Sequence, residues 1–89
     1  MPAAFELQQN YPNPFNPSTT VRYQIPSNAM VVLKIYDRTG REVKTLLNEM
    51  QSRGWHAITV NAIDLAGGIY FYQLTAGPFN RVQKMTVIK

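Results

Sequence analysis

Asn10-Tyr11-Pro12-Asn13-Pro14-Phe15-Asn16-Pro17-Ser18-Thr19-Thr20 is the stretch from which the rest of the chain is read. Three prolines within six positions remove three backbone donors, so the segment is neither a helix nor a central sheet strand. Each proline pushes the residue before it (Tyr11, Asn13, Asn16) towards extended geometry. Asparagine side chains can bond neighbouring backbone groups in place of the missing ladder. The stretch therefore reads as a stiff extended crossover, pegged by Tyr11 and Phe15, leading into a strand over 19–25.

Outward from it, turn signals recur at short intervals with strand-like runs between them. Phe5–Gln8 is a short candidate strand upstream. Thr19–Ile25 alternates, with Val21, Tyr23 and Ile25 on one face and Arg22 and Gln24 on the other. After Pro26-Ser27-Asn28, the run Met30–Asp37 keeps Val31, Leu33 and Ile35 in phase. Asp37-Arg38-Thr39-Gly40 is the best hairpin signal, a short loop whose glycine can turn left-handed.

That hairpin implies an antiparallel strand over 41–47. Val43, Leu46, Leu47 and Met50 also fall at helical spacing, but no good N-cap precedes them. The reading is strand to about Leu47 and loop over 48–53. Trp55–Asn61 is the next strand, with His56, Ile58 and Val60 on one face. A crossover over 62–68 leads to Ile69–Thr75, apolar enough on both faces to be central. Gly77-Pro78 turns the chain into a last strand, Asn80–Lys89, with Val82, Met85, Val87 and Ile88 as its apolar residues.

About seven strands in 89 residues predict an all-β protein, an immunoglobulin-like antiparallel β-sandwich. Leu65, Gly68 and Tyr70 resemble a tyrosine corner, in which the hydroxyl bonds back to the crossover. The chain reads as one domain over 1–89, either a free-standing cytoplasmic protein or a domain cut from a longer chain, with 1–4 as linker or an added start.

Composition bounds the function. An apolar fraction of 45% and an aromatic fraction of 11% argue for a folded globule rather than a disordered chain. There is no cysteine, hence no disulfide and no thiol chemistry. The formal charge of +4 is spread thinly and does not make a nucleic-acid footprint. No apolar run approaches the roughly 20 residues that span a bilayer as a helix, and 1–4 is not a secretory signal.

No catalytic constellation appears. The single histidine, His56, sits mid-strand and has no thiol or second imidazole with which to build a dyad or zinc site. Asp37 and Asp64 stand where carboxylates cap turns, and no phosphate cradle or nucleophile elbow is present. No cofactor or metal is expected. Trp55, with Tyr36 and Phe71, lies out of phase with the core and could form an exposed aromatic platform for a sugar or a protein.

Four motifs in order resemble a known family. They are Asn10–Pro17 with Thr19–Tyr23; Val32–Asp37 with Gly40-Arg41-Glu42-Val43; Gly68–Leu74; and Lys84-Met85-Thr86-Val87-Ile88-Lys89. Together they resemble the type A C-terminal sorting domain of the bacterial type IX secretion system, and are similar to the immunoglobulin-like domain of flagellar hook-capping proteins. The resemblance implies a non-catalytic module at the end of an exported protein, secreted or held at the cell surface. Its implied partners are outer-membrane secretion components and a sortase-like protease, with cleavage at or before Met1–Ala4.

In such a family the last strand carries the targeting information, here Lys84, Met85, Thr86, Val87, Ile88 and Lys89. Tyr11, Pro12, Asn13, Pro14, Phe15, Asn16, Pro17, Asp37, Gly40, Arg41, Gly68 and Tyr70 would be mainly structural members of the motifs. Recognition by strand addition to the last strand's edge is the expected mode. A dimer through an exposed edge is a further expectation. The alternative function is an accessory carbohydrate-binding or structural spacer module of a secreted hydrolase.

Overall fold

A computed structural model describes residues 4–89. The linker and cleavage expected at 1–4 fall on Met1, Pro2 and Ala3, which lie outside the described residues. Seven strands follow in order: β1 (Glu6–Leu7), β2 (Ser18–Ile25), β3 (Ala29–Asp37), β4 (Glu42–Gln51), β5 (Gly54–Asn61), β6 (Gly68–Ala76) and β7 (Phe79–Val87). They form two antiparallel sheets, β1-β2-β5 and β4-β3-β6-β7. The architecture is an immunoglobulin-like sandwich, as the turn spacing predicts.

Period-two alternation sets the core between the sheets. Val21, Tyr23 and Ile25 of β2 face Val31, Leu33 and Ile35 of β3 and Tyr72, Leu74 and Ala76 of β6, all buried. Val60, Met85 and Val87 complete the set. β6 lies between β3 and β7, so it is central. Val82 and Ile88 do not join the core: both are exposed, and β7 runs from Phe79 to Val87.

Two local features come out as the residue types dictate. Asp37 Oδ1 accepts from the Thr39 and Arg41 amides at 2.9 and 3.1 Å, while Gly40 sits at φ 91°. The Tyr70 hydroxyl donates to the Ala66 carbonyl at 2.8 Å, which closes the tyrosine corner. Asp64 departs from expectation: it pairs with Lys44 at 3.3 Å, and the Ile63 amide is capped instead by Asn61 Oδ1.

The loop expected over 48–53 is mostly strand, because β4 stays paired with β3 up to Gln51. The reason lies in two bulges. Leu33 pairs with Leu47 but Lys34 with Thr45, leaving Leu46 extra; Ile35 pairs with Lys44 but Tyr36 with Glu42, leaving Val43 extra. An extra residue shifts the phase of the alternation, so Val43, Leu46 and Leu47 all pack against the core. Bulged strand, rather than helix, produced the helical spacing.

Candidate functional site

The proline-asparagine segment does not bridge the sheets as a bare crossover. It runs along β7 and bonds to it. The Phe15 amide donates to the Thr86 carbonyl at 3.0 Å, and the Ile88 amide donates to the Phe15 carbonyl at 2.9 Å. Asn13 Oδ1 accepts from the Thr86 amide at 3.0 Å, and Gln9 Nε2 donates to the Lys84 carbonyl. Successive outward-facing positions, 84 and 86 of β7 and 88 just beyond it, are thereby taken by residues 9–15.

This arrangement corrects two expectations. The edge of the last strand is paired within the chain over 84–88, so it is not open there to strand addition. Asn13 supplies an acceptor to a strand 73 residues away, where neighbouring backbone was expected. The pegs divide as well: Phe15 is 1% exposed and part of the core, whereas Tyr11 is 81% exposed. Tyr11 contributes its backbone, exchanging amide and carbonyl bonds with Thr20 at 3.0 Å.

The polar anchor is Asn10, which pattern reading passed over. Asn10 is buried, and its Nδ2 donates to the Pro12 carbonyl and Thr19 Oγ1, both at 3.1 Å. Its amide donates to the Tyr72 hydroxyl at 2.8 Å, and that hydroxyl donates onward to the Gln8 carbonyl at 2.8 Å. Burial pushes the Tyr72 phenol up to about 12, with the Asn10 amide acting against that rise. A buried polar group costs little only when it is bonded in this way. An asparagine before a Tyr-Pro pair and a tyrosine in a central strand were the available signals, but nothing in the sequence couples them.

The crossover over 62–67 receives Lys89, the residue after the clasped Ile88. Lys89 Nζ donates to the Ile63 carbonyl at 3.1 Å. The Lys89 stem passes so close to Gly67 that a Cβ there would sit 3.2 Å from Lys89 Cβ. Asp37, Arg38 and Thr39 line one shallow cleft with Gly67, Gly68 and Tyr70. Through Gly67, the hairpin turn, the tyrosine corner and the C-terminal residue thus meet at one place.

Within 84–89 the side chains fall into two sets. Met85 and Val87 are buried in the core and Thr86 is half-buried, while Lys84, Ile88 and Lys89 are exposed. Asn16 and Pro17 are exposed, and the Pro17 carbonyl accepts from the Ala62 amide at 2.8 Å. Pro12 is exposed too, its carbonyl held by Asn10 and Thr19; Pro14 is exposed beside Phe15. Arg41 lies 3.5 Å from Asp37 Oδ2.

The aromatic platform does not assemble. Trp55 lies on the outer face of β1-β2-β5, beside Arg22, His56 and Ala57. Tyr36 and Phe71 are paired neighbours on the other sheet, and both are half-buried. His56 stacks on Tyr23 at 5.3 Å and bonds the Ser52 carbonyl. Among the described residues, no group of three or more His, Cys, Asp or Glu gathers to hold a metal ion.

What these contacts define is a folded sandwich that presents its own clasped C-terminal strand. The profile of secretion system C-terminal sorting domains matches residues 9–89, and the chain belongs to that family, the sorting domains of the type IX system. The domain family is non-catalytic, and membership implies export across the outer membrane to a secreted or cell-surface location. No curated protein matches the chain.

Two solved structures have similar folds. Dimeric latent PorU from Porphyromonas gingivalis is 24% identical with a TM-score of 0.75, over 99% of this chain and 10% of its own. PorZ, an essential surface component of the type IX secretion system of the same organism, is 21% identical with a TM-score of 0.60, over 97% and 12%. This chain therefore spans about a tenth of the length of either protein. No helix among the described residues is long and apolar enough to cross a membrane.

Proposed function

We propose that residues 1–89 are the sorting module of a larger exported protein, and that the module directs its parent across the outer membrane as a folded unit. The observation that supports this most is the clasp of residues 9–15 on β7. An extended targeting tail would need no such cover, whereas a folded signal must hold its recognised strand in one shape. In this reading, outer-membrane secretion components meet the exposed Lys84, Ile88 and Lys89, held in place by Phe15, Asn13 and the 62–67 crossover. A sortase-like protease then removes the module at or before Met1–Ala4 and joins the parent to the surface.

The carbohydrate-binding alternative rested on grouped aromatics, which lie on separate sheets here, so the sorting reading is the one carried forward. Deleting Lys84–Lys89 removes core residues Met85 and Val87 as well, so loss of export alone would not separate recognition from unfolding. Surface substitutions do separate them. A reporter fused to this domain, with Lys84→Ala, Ile88→Ser and Lys89→Ala combined, is expected to keep its melting temperature within a few degrees and lose surface delivery. Undiminished delivery of the triple variant would contradict the proposal.

A further inference from the structure

The two sheets have four outer edges, and they are treated very differently. β1 is two residues long, and Leu7 takes a bond from Gln83 on β7. β7 is covered over 84–88 by the clasp. β4 is ten residues long but carries two bulges, and its positions aligned with the inner face include Lys44 and Glu49, opposite Ile35 and Val31. Bulges and inward-pointing charges are the devices that stop an edge from pairing with another chain.

β5 has none of these. Its eight residues, Gly-Trp-His-Ala-Ile-Thr-Val-Asn, contain no Asp, Glu, Lys, Arg or Pro. They pair with β2 in unbroken register from Gly54 to Asn61. Thr20 and Arg22 direct backbone groups to Tyr11 and Gln8, so the alternate residues of β2 (19, 21, 23, 25) are the ones that bond β5. Their partners are Val60, Ile58, His56 and Gly54. The backbone groups of Trp55, Ala57, Thr59 and Asn61 therefore point away from β2, and no described residue outside β5 pairs with them.

We propose that β5 pairs antiparallel with β5 of a second copy of this chain, on a two-fold axis at Ala57. This register places Ala57 beside Ala57 as a hydrogen-bonded pair on the axis, the smallest side chain of the four where each copy meets its own equivalent. It sets Trp55, 51% exposed, beside Thr59 of the other copy on each side of the axis. An aromatic against a β-branched residue is a favourable cross-strand pair. No charge opposes a like charge anywhere along the pairing, and the contact is isologous, so it closes at two copies. The joined sheet has six strands in the order β1-β2-β5-β5-β2-β1. A single pair of edges buries little area, so the dimer is weak and concentration-dependent. It is independent of the sorting reading.

Sedimentation of the 89-residue chain from micromolar to millimolar concentration tests this, with the fluorescence of Trp55, the sole tryptophan, as a second readout. The expected result is a reversible dimer whose formation shifts Trp55 emission to the blue. Ala57 is exposed, so Ala57→Lys and Ala57→Glu should both fold. Each places like charges together on the axis and weakens self-association roughly tenfold or more. Mixing the two variants restores the dimer. A chain that stays monomeric at millimolar concentration overturns the proposal, as does a dimer that Ala57→Lys leaves unchanged or a mixture that fails to associate.

Discussion

The two long sides of the sandwich contrast sharply. On one, residues 9–15 lie along β7, and Phe5 stacks on Phe79 at 5.1 Å with the Arg81 guanidinium 5.6 Å from the Phe5 ring centre. On the other, β4 and β5 are joined by Ser52 and Arg53, and no described strand covers either outer edge. The side that holds the chain's last residues is the one that has been closed. The lesson is that this fold invests its irregular sequence in fixing its C-terminal strand and leaves ordinary strand sequence to face outward.

Breaking the closed side at its core should have the largest effect. Phe15→Ala empties a buried ring site and removes the peg that aligns the clasp. The expected loss is about 3–5 kcal/mol by urea denaturation, a large share of the total stability of a small domain. Tyr72→Phe is a gentler break, because only a hydroxyl is lost. It leaves the buried Asn10 amide unpaired and the part-buried Gln8 carbonyl without its donor, and should cost about 1–3 kcal/mol. Tyr11→Ala, at the neighbouring aromatic of the same segment, should fall within about 0.5 kcal/mol of wild type. A Tyr11 effect as large as that of Phe15 would mean that the two rings have been assigned the wrong roles.

Titration sharpens the same comparison. Burial pushes Tyr23 up to about 12, with help from Glu49, and Tyr72 to about 12. In both, the folded value lies above the unfolded 10.0, so the stabilisation is complete below pH 10 and is lost as the pH rises towards 12. Thermal melts across that window should fall steeply, and less steeply in Tyr72→Phe. Asp37 acts in the opposite sense and more weakly. Bonds from the Thr39 hydroxyl and the Arg41 amide hold its carboxyl below the usual range, so its contribution is present at neutral pH and lost on acidification.

Much of this architecture was legible in the residues. The alternation of β2 and β3, the Asp37–Gly40 turn and the tyrosine corner each depend on local chemistry, and each stands where local rules put it. β4 was harder because two bulges erased its period, so Val43, Leu46 and Leu47 imitated a helix face. The clasp was legible as stiff but not as paired, since its partners lie more than 60 residues away. Without a period, the proline segment gave no means of telling a buried Phe15 from an exposed Tyr11, or of seeing Asn10 as its anchor. The motif over 84–89 was legible as a unit, but its division into buried Met85 and Val87 and exposed Lys84, Ile88 and Lys89 required the register of β7 against β6.

The closed side is tested most directly by amide hydrogen exchange on the dilute chain, read residue by residue by NMR. The account predicts that the Thr86 and Ile88 amides, which face away from β6, exchange as slowly as amides inside the sheets. The Trp55, Ala57 and Thr59 amides on the open edge should exchange orders of magnitude faster. Exchange at Thr86 and Ile88 as fast as at Ala57 would contradict the clasp, and with it the claim that this fold holds its C-terminal strand closed.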